Sequence, residues 1–325
     1  ILRCLVGSEM CIRDRYNKIK RNLPTGGAGK MLENTDRKLL WLWLDVAFGP
    51  ADKRLWDVMS YYDSVEEMCD DLLSLRCGYV TQQEAEKIAC CTFFQAKQVA
   101  EYCEKKGIYI LTPDDPLYPE RLKQIECPPA VLFCRGDVSC LSIEKSVAII
   151  GTREPSDYSV AVAEEFSSFL AEQGVNIISG FAMGIDTAAH RSAMRAGGST
   201  VAVMGCGLEY DYPRGRTGFK REIATHGVAI SEFFPQARPV PENFRIRNRI
   251  VSALSHCVLV VEAGIRSGTL NTVNHALSQN KDVFVIPPHD IFSEKYAGQC
   301  ALLRDGAVEA YSPKDILYFL NKAKM

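Results

Sequence analysis

From residue 146 to the end, short runs of aliphatic and β-branched residues alternate with segments of helical period. The runs fall at Val147–Gly151, Val175–Ser179, Thr200–Gly205, Val228–Phe233, Cys257–Glu262 and Val283–Pro287, with a shorter one at Val308–Tyr311. They are near-continuous in Val and Ile rather than alternating with polar residues, as in strands covered on both faces, so they predict a parallel sheet in a doubly wound α/β domain. Ser159–Ala171, Leu270–Gln279 and Pro313–Asn321 carry the helical pattern between and after them.

Before that domain the pattern changes. Residues 31–106 are helical and strand-free, and predict a small domain of four or five helices. Lys38–Phe48 (KLLWLWLDVAF) is apolar on most faces, a Gly-Pro break follows, and Thr81 is placed to cap a helix beginning VTQQEAEKIACC. Residues 107–145 form a connector with a short strand, Gly107–Thr112, and prolines at 113, 116, 119, 128 and 129. Those prolines bar regular helix or central strand through most of it. Its Leu122, Ile125, Val131, Leu132 and Phe133 predict that it packs on the main domain. Residues 1–30 are set aside: Leu5–Arg15 resembles translated sequencing-adapter read-through, and Asn22–Lys30 has linker composition. The first residues lack the sustained apolar stretch and cleavage site of a signal peptide.

At 325 residues and 47% hydrophobic composition, the chain has room for two domains with a sizeable core. A net charge of −2 means that any site for a polyanion must be a local patch. The thirteen cysteines are scattered, with no C-x-x-C pair and no zinc spacing, and several lie inside apolar strands. They read as small hydrophobes of a reduced, cytoplasmic protein. No apolar run approaches membrane-spanning length.

Ligands of such a sheet bind beyond the carboxyl ends of its strands. Gly151, Thr152 and Arg153 sit there after the first strand, and Ser179, Gly180, Met183 and Gly184 after the second. The third strand is followed by Gly205, Cys206 and Gly207, then by Arg214 and Arg216. The fourth leads to Phe244, Arg245, Arg247, Asn248 and Arg249, and the fifth to Glu262, Arg266, Ser267 and Gly268. Glycines let the backbone turn tightly and aim N–H groups at a phosphate, and the following helix adds its positive dipole end. Seven arginines recur along this one rim, which makes it a focused positive patch. Arg245, Arg247 and Arg249 read as preceding and entering a helix, with Arg245 and Arg249 on one face and Arg247 and Asn248 turned toward the loops. Such crowding at a helix N-terminus is unfavourable unless anions neutralise it; the alternative is a solvated helix start with caps and salt bridges.

Other chemistries fit less well. A dinucleotide fingerprint needs G-x-G-x-x-G, but Gly151 stands alone, and Gly180 with Gly184 gives only G-x-x-x-G. No phosphate-binding G-x-x-x-x-G-K-[ST] occurs. His190 reads as a helix-face histidine buried against the sheet with Asp186 as a cap; a catalytic His–Asp pair would require a poised nucleophile, and no loop provides one. Cys206 reads as the filler of a tight turn. Glu262 and Asp211 are candidate ligands or bases, without metal-ligand spacing. No cofactor and no metal are implied.

The residues that carry these sites resemble the DprA (Smf) family of DNA-processing proteins, from about Leu111 to Asp305. DPLYPERLKQIECPPAVLFCRG, GTR, SGFAMGIDTAAH, VAVMGCGL followed by YP, FRIRNRI and VVEAGIRSGTLNT occur in the family's order and spacing. The resemblance implies an extended Rossmann-like domain, preceded by a SAM-like or helix-hairpin-helix domain. It implies sequence-independent single-stranded DNA binding without catalysis, homodimers, and loading of the RecA recombinase during DNA uptake and natural transformation. The family's pocket arginine falls on Arg153, and its R-N-R on Arg247, Asn248 and Arg249. Three positions depart from the pattern: Met183 stands where the family carries Arg, Arg245 where it carries Pro, and Arg216 where it carries Asn. The winged-helix domain of many members has no counterpart before Met325. On this reading Arg153, Arg247 and Arg249 clamp phosphates, loop N–H groups assist, and Phe244 or Phe219 stacks a base.

Two alternatives use the same loops. One is a nucleotide N-glycosidase of the phosphoribohydrolase kind, whose P-G-G-x-G-T and following acid are only partly matched by EAGIRSGTLNT. The other is a sensor of small nucleotides.

Overall fold

The computed structural model describes residues 36–322; the segments Leu5–Arg15 and Asn22–Lys30 lie outside the described residues. The chain divides into two compact units. The first takes the described residues to Asp114 together with Glu126–Val131, and the second takes Asp115–Ile125 and the chain from Leu132 onward. The proline-rich connector is thus shared between them.

Five helices are described in the first unit: α1 (Arg37–Phe48), α2 (Lys53–Met59), α3 (Val65–Leu73), α4 (Gln82–Ala89) and α5 (Phe93–Lys105), followed by a short strand, β1 (Tyr109–Leu111). The apolar run of α1 buries Leu40 to Leu44 consecutively, so this helix is the unit's core element. Its two tryptophans keep their indole N–H groups satisfied, Trp41 on Asp114 at 2.7 Å and Trp43 on the Cys91 carbonyl at 3.1 Å. Thr81 caps α4 in a reciprocal box with Glu84, as its position before the helix predicts.

In the second unit the connector forms a one-turn helix, α6 (Glu120–Lys123), and a strand, β2 (Leu132–Gly136). Strands and helices then alternate: β3 (Ser146–Ile150), α7 (Asp157–Glu172), β4 (Asn176–Ser179), α8 (Ile185–Arg195), β5 (Thr200–Val203), α9 (Thr217–His226) and β6 (Val228–Ser231). The alternation continues through α10 (Pro241–Leu254), β7 (Cys257–Val260), α11 (Thr269–Ser278), β8 (Asp282–Val285), α12 (Ala297–Arg304), β9 (Val308–Glu309) and α13 (Pro313–Lys322). The strand order is β2-β6-β5-β4-β3-β7-β8-β9. Every pair is parallel except β2 with β6, which is antiparallel. The sheet is therefore mixed and mostly parallel, with helices on both faces.

Strands β3 to β7 are buried along their whole length, which is why their sequences read as unbroken apolar runs. Val147, Ile149 and Ile177 pack with Phe166, Leu170 and Ala189 of α7 and α8 on one face. Truncating the fully buried Ile149 to Ala would cost about 2–5 kcal/mol. Arg121 of α6 ties the connector to the amino ends of the strands. It donates to Ser146 Oγ at 3.0 Å and to the carbonyls of Leu254 and Glu144 at 3.1 and 2.9 Å. No helix among the described residues is long and apolar enough to cross a membrane.

Candidate nucleic-acid groove

The chain leaves β3 toward β4, β5 and β6 on one side, and returns to β7 on the other, so the strand order reverses between β3 and β7. A crevice opens at such a reversal, beyond the carboxyl ends of the strands. An open groove of about 810 Å³ lies there, lined by Gly151 to Arg153 after β3, by Ser267 and Gly268 before α11, and by Arg245, Arg247 and Asn248 of α10. A smaller cavity of about 170 Å³ adjoins it, walled by Phe181, Met183, Met204, Tyr212 and Phe244 with Arg153 and Arg214.

Three tight contacts build the groove. The carbonyl of Thr152 accepts from the Ile185 amide at 3.2 Å and fastens the β3 loop to the start of α8. Gly184 permits it with φ +78°, and a Cβ there would stand 2.4 Å from the same carbonyl. Gly180 lies against the Arg247 guanidinium, which a Cβ at 180 would approach to 2.8 Å. Gly205 lies under the Phe244 ring, which also packs on Tyr212 at 5.1 Å.

Two amides of the loop after β4, which the sequence reading offers to a ligand, are taken within the protein. Asp186, in the first turn of α8, accepts from the Gly180 and Ala182 N–H groups, both at 3.1 Å. Burial raises the Asp186 pKa, and the nearby Arg247 charge opposes that rise. Asp186 therefore ties the loop and does not cap α8 as the sequence reading expects: the capping residue is Gly184, and no side chain bonds the first helical amides. His190, fully buried, takes the Nδ1–H tautomer: Thr200 Oγ1 donates to the Ile177 carbonyl and so accepts from Nδ1 at 2.7 Å. Burial first, and then the charges of Arg216 and Arg247, lower its pKa to about 3, so it is neutral.

The arginines separate into two kinds. Arg153, Arg214 and Arg266 are exposed at the rim, and among the described residues none of them has an ion-pair partner. Arg245 is exposed and meets Glu242 only at 3.6 Å. Arg247 is different: 5% exposed, it donates to the carbonyls of Gly180 and Val203 and, at 3.0 Å, to Asn248 Oδ1. Asn248 in turn donates to Asn271 at 3.1 Å. Burial lowers the Arg247 pKa to about 10, which leaves it a cation at neutral pH. Arg249 reaches neither cavity; its guanidinium is paired with Glu232 on both arms at 2.6 Å.

Contrary to the sequence reading, these arginines do not crowd the helix start. α10 begins at Pro241, so Arg245, Arg247 and Arg249 lie in its second and third turns. Pro241 stands at the first helical position, which suits a helix because its missing N–H has no partner there anyway. Ser179 is buried and donates to the Ile149 carbonyl at 2.7 Å, behind the groove. Arg216 lines neither cavity and Phe219 is buried, so of the two expected stacking residues Phe244 is the one at the site; it lines both cavities, as Tyr212 does. Met183 is 45% exposed at the mouth of the smaller cavity.

Asn271, Thr272 and Tyr212 line the groove without having been singled out. The helical period of NTVNHALS carried a signal for the first two, because Asn271 and Thr272 open the helix that follows Ser267 and Gly268. The acidic candidates are committed elsewhere. Glu262 accepts from the Ser156 N–H at 2.9 Å and from its hydroxyl at 2.8 Å, and is 1% exposed. Asp211 accepts from the amides of Gly215 and Arg216 and from the Thr217 hydroxyl, holding the loop before α9. Cys206 is buried, which raises its thiol pKa. Among the described residues no cluster of three or more His, Cys, Asp or Glu could hold a metal ion.

The family model for DNA recombination-mediator protein A matches residues 109–321. The chain belongs to that family. All the groove residues fall inside the matched span. The chain is 36% identical over 218 residues to the DNA processing protein DprA of Bacillus subtilis, covering 67% of this chain and 73% of that protein. It is 38% identical over 223 residues to protein Smf of Synechocystis, covering 68% of this chain and 56% of that relative, little more than half its length. Among solved structures, DprA of Streptococcus pneumoniae superposes with a TM-score of 0.73 at 30% identity, covering 85% of this chain and 95% of that one. A DNA processing protein A from Helicobacter pylori, described for its single-stranded DNA binding mode, superposes with a TM-score of 0.58 at 31% identity, covering 66% and 95%.

Proposed function

We propose that the groove binds single-stranded DNA without regard to sequence and without chemistry, and that the protein, as a cytoplasmic homodimer, protects the strand and passes it to the RecA recombinase. The observation that carries the reading is the division of labour among the arginines. Arg153, Arg214, Arg245 and Arg266 present exposed charge around a groove whose floor cation, Arg247, is already held by backbone carbonyls. Exposed cations around an open, 810 Å³ groove suit a phosphate backbone, whose repeating charge needs contacts in series and no base readout. Phe244, backed by Gly205 and Tyr212, supplies a surface on which a base can stack. The commitment of Glu262 and Asp211 to backbone and hydroxyl donors supports a binding role over base-release chemistry.

Transfer to RecA is supported by the family's description as a recombination mediator. Buried thiols such as Cys206 and Cys257 suit a reducing compartment.

Fluorescence anisotropy with labelled oligothymidylate tests the reading. Binding that a hundredfold molar excess of AMP does not displace, with no adenine released from AMP, is the expected result. Tight AMP binding without affinity for the strand would replace it with the nucleotide-sensor reading.

A further inference from the structure

Outside both cavities, two arginines converge on one aromatic ring. Arg216, the residue before α9, places its guanidinium 4.6 Å from the centre of the Phe219 ring, and Arg191 of α8 places its own at 5.3 Å from the same centre. Each contact is favourable by itself. Together they hold two like charges close, and among the described residues neither guanidinium has a carboxylate within ion-pair distance. The repulsion is felt: after burial, the charge of Arg191 is the second cause that lowers the Arg216 pKa. Arg216 is also incompletely bonded. One terminal nitrogen donates to Thr187 Oγ1 at 2.7 Å, while its Nε–H is buried without a hydrogen-bond partner. A paired cationic site with a spare donor and no counter-charge is what an anion would complete.

The position of the pair says which anion. Phe219 stacks on Phe181 at 5.5 Å, and Phe181 walls the smaller cavity from the other side. Arg214, on that cavity's rim, is two residues from Arg216. Arg216 bonds Thr187, one turn from Arg191 along α8, so the pair is held on α8 next to the Phe181 wall of the cavity whose rim carries Arg153 and Arg214. The pair thus lies one side-chain layer beyond the groove, where the next phosphates of a bound strand would emerge.

We propose that Arg216 and Arg191, gathered on Phe219 between α8 and α9, clamp the backbone phosphate of single-stranded DNA as it leaves the groove. The proposal rests on the groove being a single-strand site, and adds a direction to the strand's path: out past Met183 and Arg214, across the start of α9, and along α8.

The test compares two oligothymidylates, the shortest that wild type still binds and one twice that length, by anisotropy across a salt series. Arg191→Ala and Arg191→Glu are the primary variants, because Arg191 is exposed and its removal leaves the core intact. Arg216→Gln is the second site, and Arg304→Ala, an exposed arginine on α12, is the control for loss of charge. On the long strand, Arg191→Ala is expected to lower the slope of log affinity against log salt by about 0.7, the share of one phosphate contact. Arg191→Glu is expected to weaken binding further, while the short strand is bound as by wild type and Arg304→Ala changes neither. Unchanged long-strand affinity in both Arg191 variants, with Arg153→Ala still weakening binding, overturns the exit clamp and leaves the groove standing. Equal loss on both lengths places Arg191 inside the groove and overturns the path. Absence of any single-strand affinity in wild type overturns groove and clamp together.

Discussion

Arg249 and Glu232 face each other across two hydrogen bonds of 2.6 Å, with only 10% and 1% of their side chains exposed. The pair joins α10 to the end of β6, beneath the groove and not in it. A cation in this position is structural: removing one partner leaves the other charge buried and unpaired.

Arg249→Ala is therefore expected to lower stability by about 3–5 kcal/mol in denaturant unfolding. Binding per folded molecule should be unchanged. A variant of wild-type stability with lost affinity would return Arg249 to the strand.

Arg153 and Arg247 should separate in the opposite way. Arg153 is exposed and makes no ion pair among the described residues, so Arg153→Ala is expected to weaken single-strand binding while the melting temperature stays the same. Arg247→Ala removes a buried side chain bonded to Gly180 and Val203, and should lower both. Melting curves run beside anisotropy measurements distinguish the two patterns.

Gly180 tests how closely the groove is fitted. An alanine Cβ would stand 2.8 Å from the Arg247 guanidinium, which is pinned by two carbonyls and cannot swing clear. Gly180→Ala is expected to cost about 1–3 kcal/mol and to weaken strand binding. Gly215→Ala is the comparison for a loop glycine whose Cβ would meet nothing within 4 Å; its φ of +77° sets a separate backbone cost.

His190 gives the fold a pH dependence. Its pKa falls from 6.5 when unfolded to about 3 in the fold, so below pH 6.5 the unfolded chain binds the extra proton. Its contribution to stability is whole above 6.5 and declines as pH falls toward 3, by up to about 1.4 kcal/mol per pH unit. His256, lowered to about 4, acts in the same sense. Asp186, whose pKa burial raises, acts in the opposite sense, its cost growing as pH rises past 3.8. The difference between wild type and His190→Gln isolates one histidine: the variant's stability should fall less steeply between pH 6.5 and pH 5.

The sheet was legible in the sequence because strands covered on both faces leave no room for polar residues, and Val147–Gly151 and Cys257–Glu262 show it directly. The placing of Arg153 and of the Ser267–Gly268 turn followed from strand ends alone. The roles of Arg247 and Arg249 did not follow. Spacing along a helix tells which residues share a face, but not what stands opposite. The partners here, the carbonyls of Gly180 and Val203 and the carboxylate of Glu232, come from three other segments. That Asp186 would take the amides of Gly180 and Ala182 and leave the capping of α8 to Gly184 was not readable, since the loop's curl decides where those N–H groups point. Arg216 illustrates the same limit: its ring partner Phe219 is nearby in sequence, but Arg191 arrives from another helix.

In the proposed function, exposed arginines around the β3–β7 crevice hold the backbone of a single strand. A salt titration of wild type and Arg153→Ala on single-stranded and duplex DNA of one sequence tests it most directly. Tighter binding to the single strand, affinity that falls linearly on logarithmic axes as salt rises, and a slope smaller by about 0.7 in the variant are expected. Affinity that ignores salt, or an unchanged slope on losing Arg153, would contradict it.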